Sequence, residues 1–279
     1  MKKLILTTLA LAGLFCMSEA QVKMPAPSPV QTLKQDFGLS SIELTYSRPS
    51  LKGRKVVGEQ DPWGVVWRTG ANAATRLRFN DPVMIGGKML DSGTYVLYTV
   101  PREKGDWDVI LNKGLSNWGT DGYKESEDVV RFKATPGKIK KEKVETFTMQ
   151  FENIKPESCE LSIMWDDWWL SFPITVNIKD KIKQQVEAAL QTDKKPYWQA
   201  ANFYYEWEKD YAKALDNINK AIEGNQNGFW MYLLKSKILR NLGRNDEAKV
   251  AAQKTVDLAT TAKNDAYIKQ GNDMLKELK

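Results

Sequence analysis

The sequence predicts an α+β protein with segregated domains: an antiparallel β-sandwich or jelly roll, followed by an all-α domain of repeated helical hairpins. Up to about residue 178, apolar residues alternate with polar ones, which is the period of half-buried strands. After Lys179 they recur every three or four positions, which is the period of amphipathic helices. A chain of 279 residues is long enough to give each domain its own core.

The first twenty residues have the pattern of a secretory signal peptide. Lys2 and Lys3 precede an uncharged apolar run, and the segment ends with small residues up to Ala20. We therefore expect cleavage near Ala20 and an exported protein, located in the periplasm or outside the cell. Cys16 follows Phe15 rather than a small residue, which favours a soluble product, with a lipid-anchored protein as the alternative.

Composition excludes several classes of site and partner. The chain has no histidine, which excludes Ser-His-Asp and Cys-His nucleophile arrangements and histidine-ligated zinc or iron sites. We expect no cofactor and no metal. Basic and acidic residues are interleaved despite the net charge of +6, so we expect no nucleic-acid partner. Apart from the signal, no apolar stretch approaches the length of a transmembrane span.

The elements follow in order along the chain. Three prolines within residues 21–35 predict a linker or extended arm with little fixed structure. The β-sandwich is expected over 36–178. Within it, Gly86-Gly87 predicts a tight hairpin, because both glycines accept positive φ. Residues 94–100 are apolar on both faces, which predicts a central strand, whereas Pro173 favours an edge position for the last strand.

Cys159 is the one cysteine that remains after the predicted cleavage. It therefore has no intramolecular disulfide partner, and the domains must be stabilised by core packing. Cys159 shares a strand face with Leu161 and Ile163. This alternation predicts an inward-pointing, inert thiol.

Residues 179–279 are expected to form the helical domain, whose pattern repeats every 34 residues. The equivalent positions are Trp198 and Tyr232, Tyr205 and Leu239, and Ala214 and Ala248. This pattern resembles the tetratricopeptide repeat, with two copies over about 195–262 and a capping helix near 263–278. Asn202 and Ser236 depart from that motif, because they lie where it prefers Gly or Ala.

Two motifs in the β region carry a second resemblance. Residues 46–54 read YSRPSLKGR and residues 62–75 read PWGVVWRTGANAAT. They resemble the exported bacterial family catalogued as domain of unknown function 2911, over about residues 30–178. The resemblance implies a bacterial envelope protein with a β-rich domain, often followed by helical repeats. It implies no established reaction.

The same motifs contain a candidate ligand site of cations, an amide and two indoles. Its residues are Arg48, Lys52, Arg54, Trp63, Trp67, Arg68 and Asn72. Guanidinium groups bind carboxylate, sulfate or phosphate in a forked geometry and indoles stack on sugar rings, so an anionic small ligand or glycan is one hypothesis. The competing interpretation is structural: the arginines bind loop carbonyls and the indoles belong to the core.

Two further groups of residues in the β region allow alternative functions. A loop with Trp118, Asp121 and Tyr123 is either a second ligand contact or a plain surface loop. The adjacent carboxylates Asp166 and Asp167 raise the alternative of a glycan-active hydrolase or lyase. Because neighbours on a strand point to opposite faces, a turn between strands is the competing interpretation. We assign no catalytic residue, and the enzyme question stays open with the balance towards a binding protein.

Aromatic residues of the helical domain are candidate anchors for a protein partner. They are Trp198, Tyr205, Trp207, Trp230 and Tyr232. Stacked helix pairs offer surfaces on which such side chains bind extended peptides, although they equally fill space between helices. We therefore predict a non-catalytic envelope binding or assembly protein. Its helical repeats would dock an envelope protein or peptide, and its sandwich loops would hold a polar ligand.

Overall fold

A computed structural model describes residues 24–278. These residues form two compact units, the first ending at Thr175 and the second beginning at Val176. The first unit contains strands and the second contains helices, so the segregated α+β class is confirmed. The predicted signal peptide, with Cys16, lies outside the described residues.

The β unit consists of two antiparallel sheets. Its strands are β1 (Val30–Phe37), β2 (Ser40–Ser47), β3 (Thr75–Phe79), β4 (Val83–Ile85), β5 (Lys88–Leu90), β6 (Gly93–Val100), β7 (Trp107–Asn112), β8 (Asp128–Ala134), β9 (Gly137–Lys138), β10 (Val144–Glu152), β11 (Ser158–Asp166) and β12 (Trp168–Thr175). One sheet has the order β1-β2-β3-β6-β7-β8 and the other β10-β11-β12-β4-β5, with β9 paired to β12.

The core lies between the sheets, where alternate residues of each strand meet. Ile42, Leu44 and Tyr46 of β2 are buried, as their alternation predicts. Tyr46 links the sheets, because its hydroxyl donates to the Met149 carbonyl of β10 over 3.1 Å. Its ring also packs edge-on against Phe147, with centroids 5.7 Å apart.

Three local predictions are confirmed. Strand β6 lies inside its sheet between β3 and β7, with its last six residues buried. Gly86 and Gly87 form the β4–β5 turn with φ values of 57° and 75°, a left-handed conformation that favours glycine. Cys159 is 1% exposed, and burial raises the pKa of its thiol to about 11, which keeps it protonated and unreactive.

The edge position predicted for β12 is wrong, because β12 has strands on both sides. Pro173 nevertheless lies where β12 has no partner on one side. Strand β12 pairs with β11 along its full length. On its other side, β9 pairs only with Trp168 and Trp169, and β4 pairs only with Ile174 and Thr175. Pro173 lies in the gap between these two partners, where its missing N–H removes no hydrogen bond.

The predicted arm is also shorter than expected. Residues 30–35, assigned to the arm, belong to β1, which pairs with β2 from Val30 to Phe37. The side chains of β1 are mostly exposed or half-buried. Its strand conformation therefore comes from backbone hydrogen bonds with β2 rather than from a strong apolar alternation, which explains why the pattern did not reveal it.

The second unit is helical. Its helices are α1 (Lys179–Ala189), α2 (Tyr197–Phe203), α3 (Tyr211–Gly224), α4 (Phe229–Asn241), α5 (Asn245–Thr261) and α6 (Asp265–Glu277). A π-helical turn extends α2 to Glu208 and ends at Lys209, which has φ 54°. The small residues Ala214 and Ala248 are fully buried. Within residues 24–278, each helix falls short of the length and apolar character needed to cross a bilayer.

Candidate functional site

The candidate residues of the two motifs do not converge on one cleft. Arg54 and Trp63 line one hollow of the β unit and Arg68 and Asn72 line another, whereas Arg48, Lys52 and Trp67 line neither. The first, here called the lysine hollow, has a volume of about 350 Å³ and is lined by Gly53, Arg54, Lys55, Val57, Trp63, Glu103, Lys138, Lys143, Asp166, Asp167 and Trp168. The second, the Asp61 hollow, has a volume of about 210 Å³ and is lined by Pro49, Gln60, Asp61, Arg68, Gly70, Ala71, Asn72 and Trp165.

Arg48 and Arg54 use their side-chain donors inside the protein. Arg48 donates from Nε to the Phe147 carbonyl over 3.0 Å and from Nη2 to the Thr148 hydroxyl over 2.9 Å. Arg54 donates from Nε and Nη2 to two loop carbonyls, and from Nη1 to Gln60 Oε1 over 2.8 Å. Both arginines thus fix the loop that follows β2, as the structural interpretation predicts.

Lys52 and the two indoles are placed differently. Lys52 is exposed, adopts φ 50° and binds Glu145 through its backbone N–H over 2.9 Å. Trp67 is 5% exposed and stacks on Trp165 with centroids 5.9 Å apart, so it belongs to the core. Trp63 is half-buried and meets Trp168 edge-on at 5.7 Å. Of the two motif indoles, Trp63 alone lines one of these two hollows.

The adjacent carboxylates Asp166 and Asp167 form the turn of the β11–β12 hairpin, as the turn interpretation predicts. Asp166 has φ 54°, so the chain turns there and both carboxylates line the lysine hollow. Each has a cation beside it: Lys143 Nζ lies 2.7 Å from Asp166 Oδ1, and Lys138 Nζ lies 2.7 Å from Asp167 Oδ1. Lys138 also lies 3.5 Å above the Trp168 ring. These pairs neutralise the two carboxylates.

The loop with Trp118, Asp121 and Tyr123 has one half-buried side chain, that of Tyr123, and two exposed ones. Trp118 is 64% exposed, and Asp121 is exposed. The Tyr123 hydroxyl donates to Asp128 Oδ2 over 2.9 Å. Burial and this carboxylate raise the pKa of Tyr123 to about 12. Gly119 packs on Arg68, because a Cβ there would lie 2.4 Å from Arg68 Nη1.

The Asp61 hollow contains two opposite charges without an ion pair between them. Asp61 and Arg68 are half-buried, and within residues 24–278 the Asp61 carboxylate accepts no hydrogen bond. Burial raises the pKa of Asp61 to about 6, against the opposing effect of Arg68 and Arg54. Arg68 donates from Nη1 to the Asn72 carbonyl over 2.9 Å. Asn72 itself donates to the Ser28 carbonyl over 3.3 Å, which joins the arm to this motif.

Asp61 and Trp165 are residues of this hollow that the sequence analysis did not select. Asp61 lies directly before Pro62, where the second motif begins. Its place beside that motif is the signal that would have identified it. Trp165 is 3% exposed, and its indole N–H has no hydrogen-bond partner in the described part of the chain.

In the helical unit, the candidate aromatic residues have two kinds of environment. Four of them, Trp198, Tyr205, Trp207 and Trp230, are half-buried and pack against the core that includes Phe203 and Ile218. Tyr232 lines a groove of about 580 Å³, here called the α4–α5 groove. The other residues of this groove are Lys235, Leu239, Glu247, Val250, Ala251, Gln253, Lys254 and Asp257.

No group of three or more acidic or cysteine side chains within residues 24–278 is arranged to hold a metal ion. The clearest charge cluster is structural. Asp108 is buried and is contacted by Arg102 over 2.9 Å and by Lys133. Hydrogen bonds from these two cations lower the pKa of Asp108 although burial acts to raise it.

Comparison with known proteins adds a family. Neither the comparison with curated proteins nor the comparison with solved structures finds a match. A family model described as a protein of unknown function, DUF2911, matches residues 28–174. This match covers more than half of the chain, includes both motifs and ends one residue before the end of β12. The chain therefore belongs to the DUF2911 family.

Proposed function

We propose that the protein is an exported, non-catalytic binding or assembly protein of the cell envelope, whose helical unit docks an acidic, apolar peptide segment of a partner protein. The observation that carries this proposal is the α4–α5 groove. Val250 is 72% exposed at this groove, beside Tyr232 and Leu239. An apolar surface in a concave place is a typical anchor site for a peptide side chain.

The charges beside the groove select the partner. Lys235 and Lys254 have no ion-pair partner among the described residues, whereas Arg244 holds Glu247 over 2.6 Å. Asp257 also lines the groove and accepts a hydrogen bond from Gln253 over 2.9 Å. The groove thus presents two lysines and one carboxylate without ion-pair partners among the described residues, around an apolar floor. An exposed ion pair contributes about 0.2–1 kcal/mol, so apolar contacts supply most of the affinity and the lysines provide the preference for acidic residues.

The spacing of the helices supports a repeat arrangement like that of tetratricopeptide proteins. Helices α3 and α5 begin at Tyr211 and Asn245, 34 residues apart. In such arrays, grooves between helices bind extended partners. The alternative, a glycan-active hydrolase or lyase, would need a free carboxylate pair. The lysine partners of Asp166 and Asp167 favour a structural role for those two residues instead.

The test uses two fluorescent peptide pools of equal length, each with central Leu or Phe, flanked by Asp and Glu in one pool and by Lys in the other. We expect saturable binding of the acidic pool by fluorescence polarisation. Val250→Asp should abolish it, because the variant places an anion on the apolar floor. Lys235→Glu combined with Lys254→Glu should shift the preference to the basic pool.

The control is Lys276→Glu on α6, which reverses the charge of one lysine outside the groove and is compared with Lys235→Glu and Lys254→Glu made singly. It should leave acidic-pool binding unchanged. Equal binding of both pools, or acidic-pool binding that survives Val250→Asp, would overturn the proposal.

A further inference from the structure

Opposite charges that face one half-buried hollow normally form an ion pair, but Asp61 and Arg68 do not. Arg68 is held in place by the Asn72 carbonyl and by its packing on Gly119. The remaining donors of its guanidinium have no partner among the described residues. The hollow therefore presents a carboxylate acceptor and a separate set of guanidinium donors, and Arg68 is held in place before any ligand arrives.

Trp165 forms part of the wall of the same hollow. It is 3% exposed and lines the same hollow, yet its indole N–H has no acceptor in the described part of the chain. The indole nitrogen has almost no exposed surface, so Trp165 contributes an apolar wall rather than a donor to the hollow. The ring is fixed by stacking on Trp67 with an interplanar angle of 12°.

The charges of the hollow define the class of ligand. A simple anion would be attracted to Arg68 and repelled by Asp61, whereas a simple cation would be attracted to Asp61 and repelled by Arg68. A molecule with one group of each sign complements both residues. The volume of about 210 Å³ is below the usual range of drug-sized pockets, which limits the ligand to a small molecule.

We propose that the Asp61 hollow binds a small zwitterion of the free α-amino acid class. The ammonium group of the ligand lies on the Asp61 carboxylate and its carboxylate group on the Arg68 guanidinium. The Trp165 ring lines the hollow beside the bound ligand and reports its presence. This site lies in the β unit and goes beyond the peptide groove of the helical unit.

The ionisation of Asp61 gives the proposal a pH dependence. Burial raises the pKa of this carboxyl to about 6, and the charged groups that act on it are Arg68 and Arg54. Binding of the ammonium group needs the ionised carboxylate, so affinity should fall as the pH drops below about 6.

The experiment follows the tryptophan indole N–H signals of residues 21–279 by NMR, with Trp165→Phe used to assign the Trp165 signal. The probes are the free proteinogenic amino acids and D-alanine. The controls are N-acetylalanine, alanine methyl ester, acetate and methylammonium. We expect at least one free amino acid to shift the Trp165 signal saturably, with no shift from a compound that lacks either charge.

Asp61→Asn should weaken this binding at least about ten-fold, because it removes the charge that holds the ammonium group while keeping the size of the side chain. The control Asp91→Asn, on an exposed turn, should leave binding unchanged. An unmoved Trp165 signal with every amino acid would overturn the proposal, as would equal shifts from the ester and the N-acetyl compound. Val250→Asp should not alter amino-acid binding, so this proposal and the peptide groove fail separately.

Discussion

Two carboxyl groups of the β unit show how their surroundings set the pKa in opposite directions. Asp61 is half-buried without a hydrogen-bond donor in the described residues, so its pKa is raised to about 6. For Asp108, burial acts in the same direction, but hydrogen bonds from Lys133 and Arg102 outweigh it and the pKa is lowered. The two pKa shifts differ in direction because Asp108 has hydrogen-bond donors beside it and Asp61 has none among the described residues.

Asp61→Asn should change the pH dependence of stability. A carboxyl whose folded pKa is raised stabilises the folded state below its ordinary value of 3.8, and this contribution is lost as the pH rises through about 6. The variant should therefore be more stable than the parent protein near pH 7.5, by about 1–2 kcal/mol after allowance for partial exposure. Below about pH 4 the advantage should disappear.

Urea unfolding of both proteins near pH 4 and pH 7.5 measures this difference. Asp108→Asn serves as the opposite case. A lowered pKa contributes stability above the ordinary pKa and loses it as the pH falls, so this variant should be destabilised near neutral pH. Identical pH profiles for Asp61→Asn and the parent protein would contradict the assignment of Asp61.

At the scale of an element, the two glycines of the β4–β5 hairpin allow the cost of backbone strain to be measured separately from the cost of a side-chain clash. Gly86 and Gly87 both have positive φ, so Ala strains the backbone at either position by about 1 kcal/mol. At Gly86 a Cβ would also lie 2.3 Å from the Phe132 ring, whereas nothing lies within 4 Å of one at Gly87.

We therefore expect Gly86→Ala to destabilise the β unit by about 2–4 kcal/mol, and Gly87→Ala by about 1 kcal/mol. Thermal or urea unfolding of both variants measures the two costs. Equal losses would mean that Phe132 moves away at no cost, contrary to its contact with Phe172, which has centroids 5.4 Å apart.

The strands that the sequence predicted correctly are those whose side chains are sorted by burial. Strand β2 and the central strand β6 have clear apolar patterns because one or both of their faces lie in the core. Strand β1 and the position of β12 were missed because they depend on which strands pair, and pairing is a property of the whole sheet.

At the scale of the whole molecule, each unit has its own buried core. The β unit has its core between two sheets, and the helical unit has apolar clusters that include Phe203 and Leu239. We expect residues 24–175 and residues 176–279 to fold when produced separately. Circular dichroism should show a β spectrum for the first fragment and a helical spectrum for the second, each with a cooperative thermal transition. A fragment without a cooperative transition would show that its core needs the rest of the chain.

The candidate sites could be predicted only in part. The motifs suggested one shared site, but Arg68 and Asn72 line one hollow and Arg54 and Trp63 line another, and this division depends on the path of the loop in space. Asp61 was missed because its unusual pKa comes from burial. The sequence around Val250 resembles that of a core position. Its exposure depends on how the helices pack, which the sequence pattern does not reveal.

The half-buried Asp61 carboxyl has a calorimetric consequence. The sequence contains no imidazole to take up or release protons near pH 6. When an ammonium group docks on Asp61, the carboxyl ionises and its proton passes to the buffer. The heat measured near pH 6 should then vary with the ionisation enthalpy of the buffer, and this variation gives the number of protons released for each ligand bound.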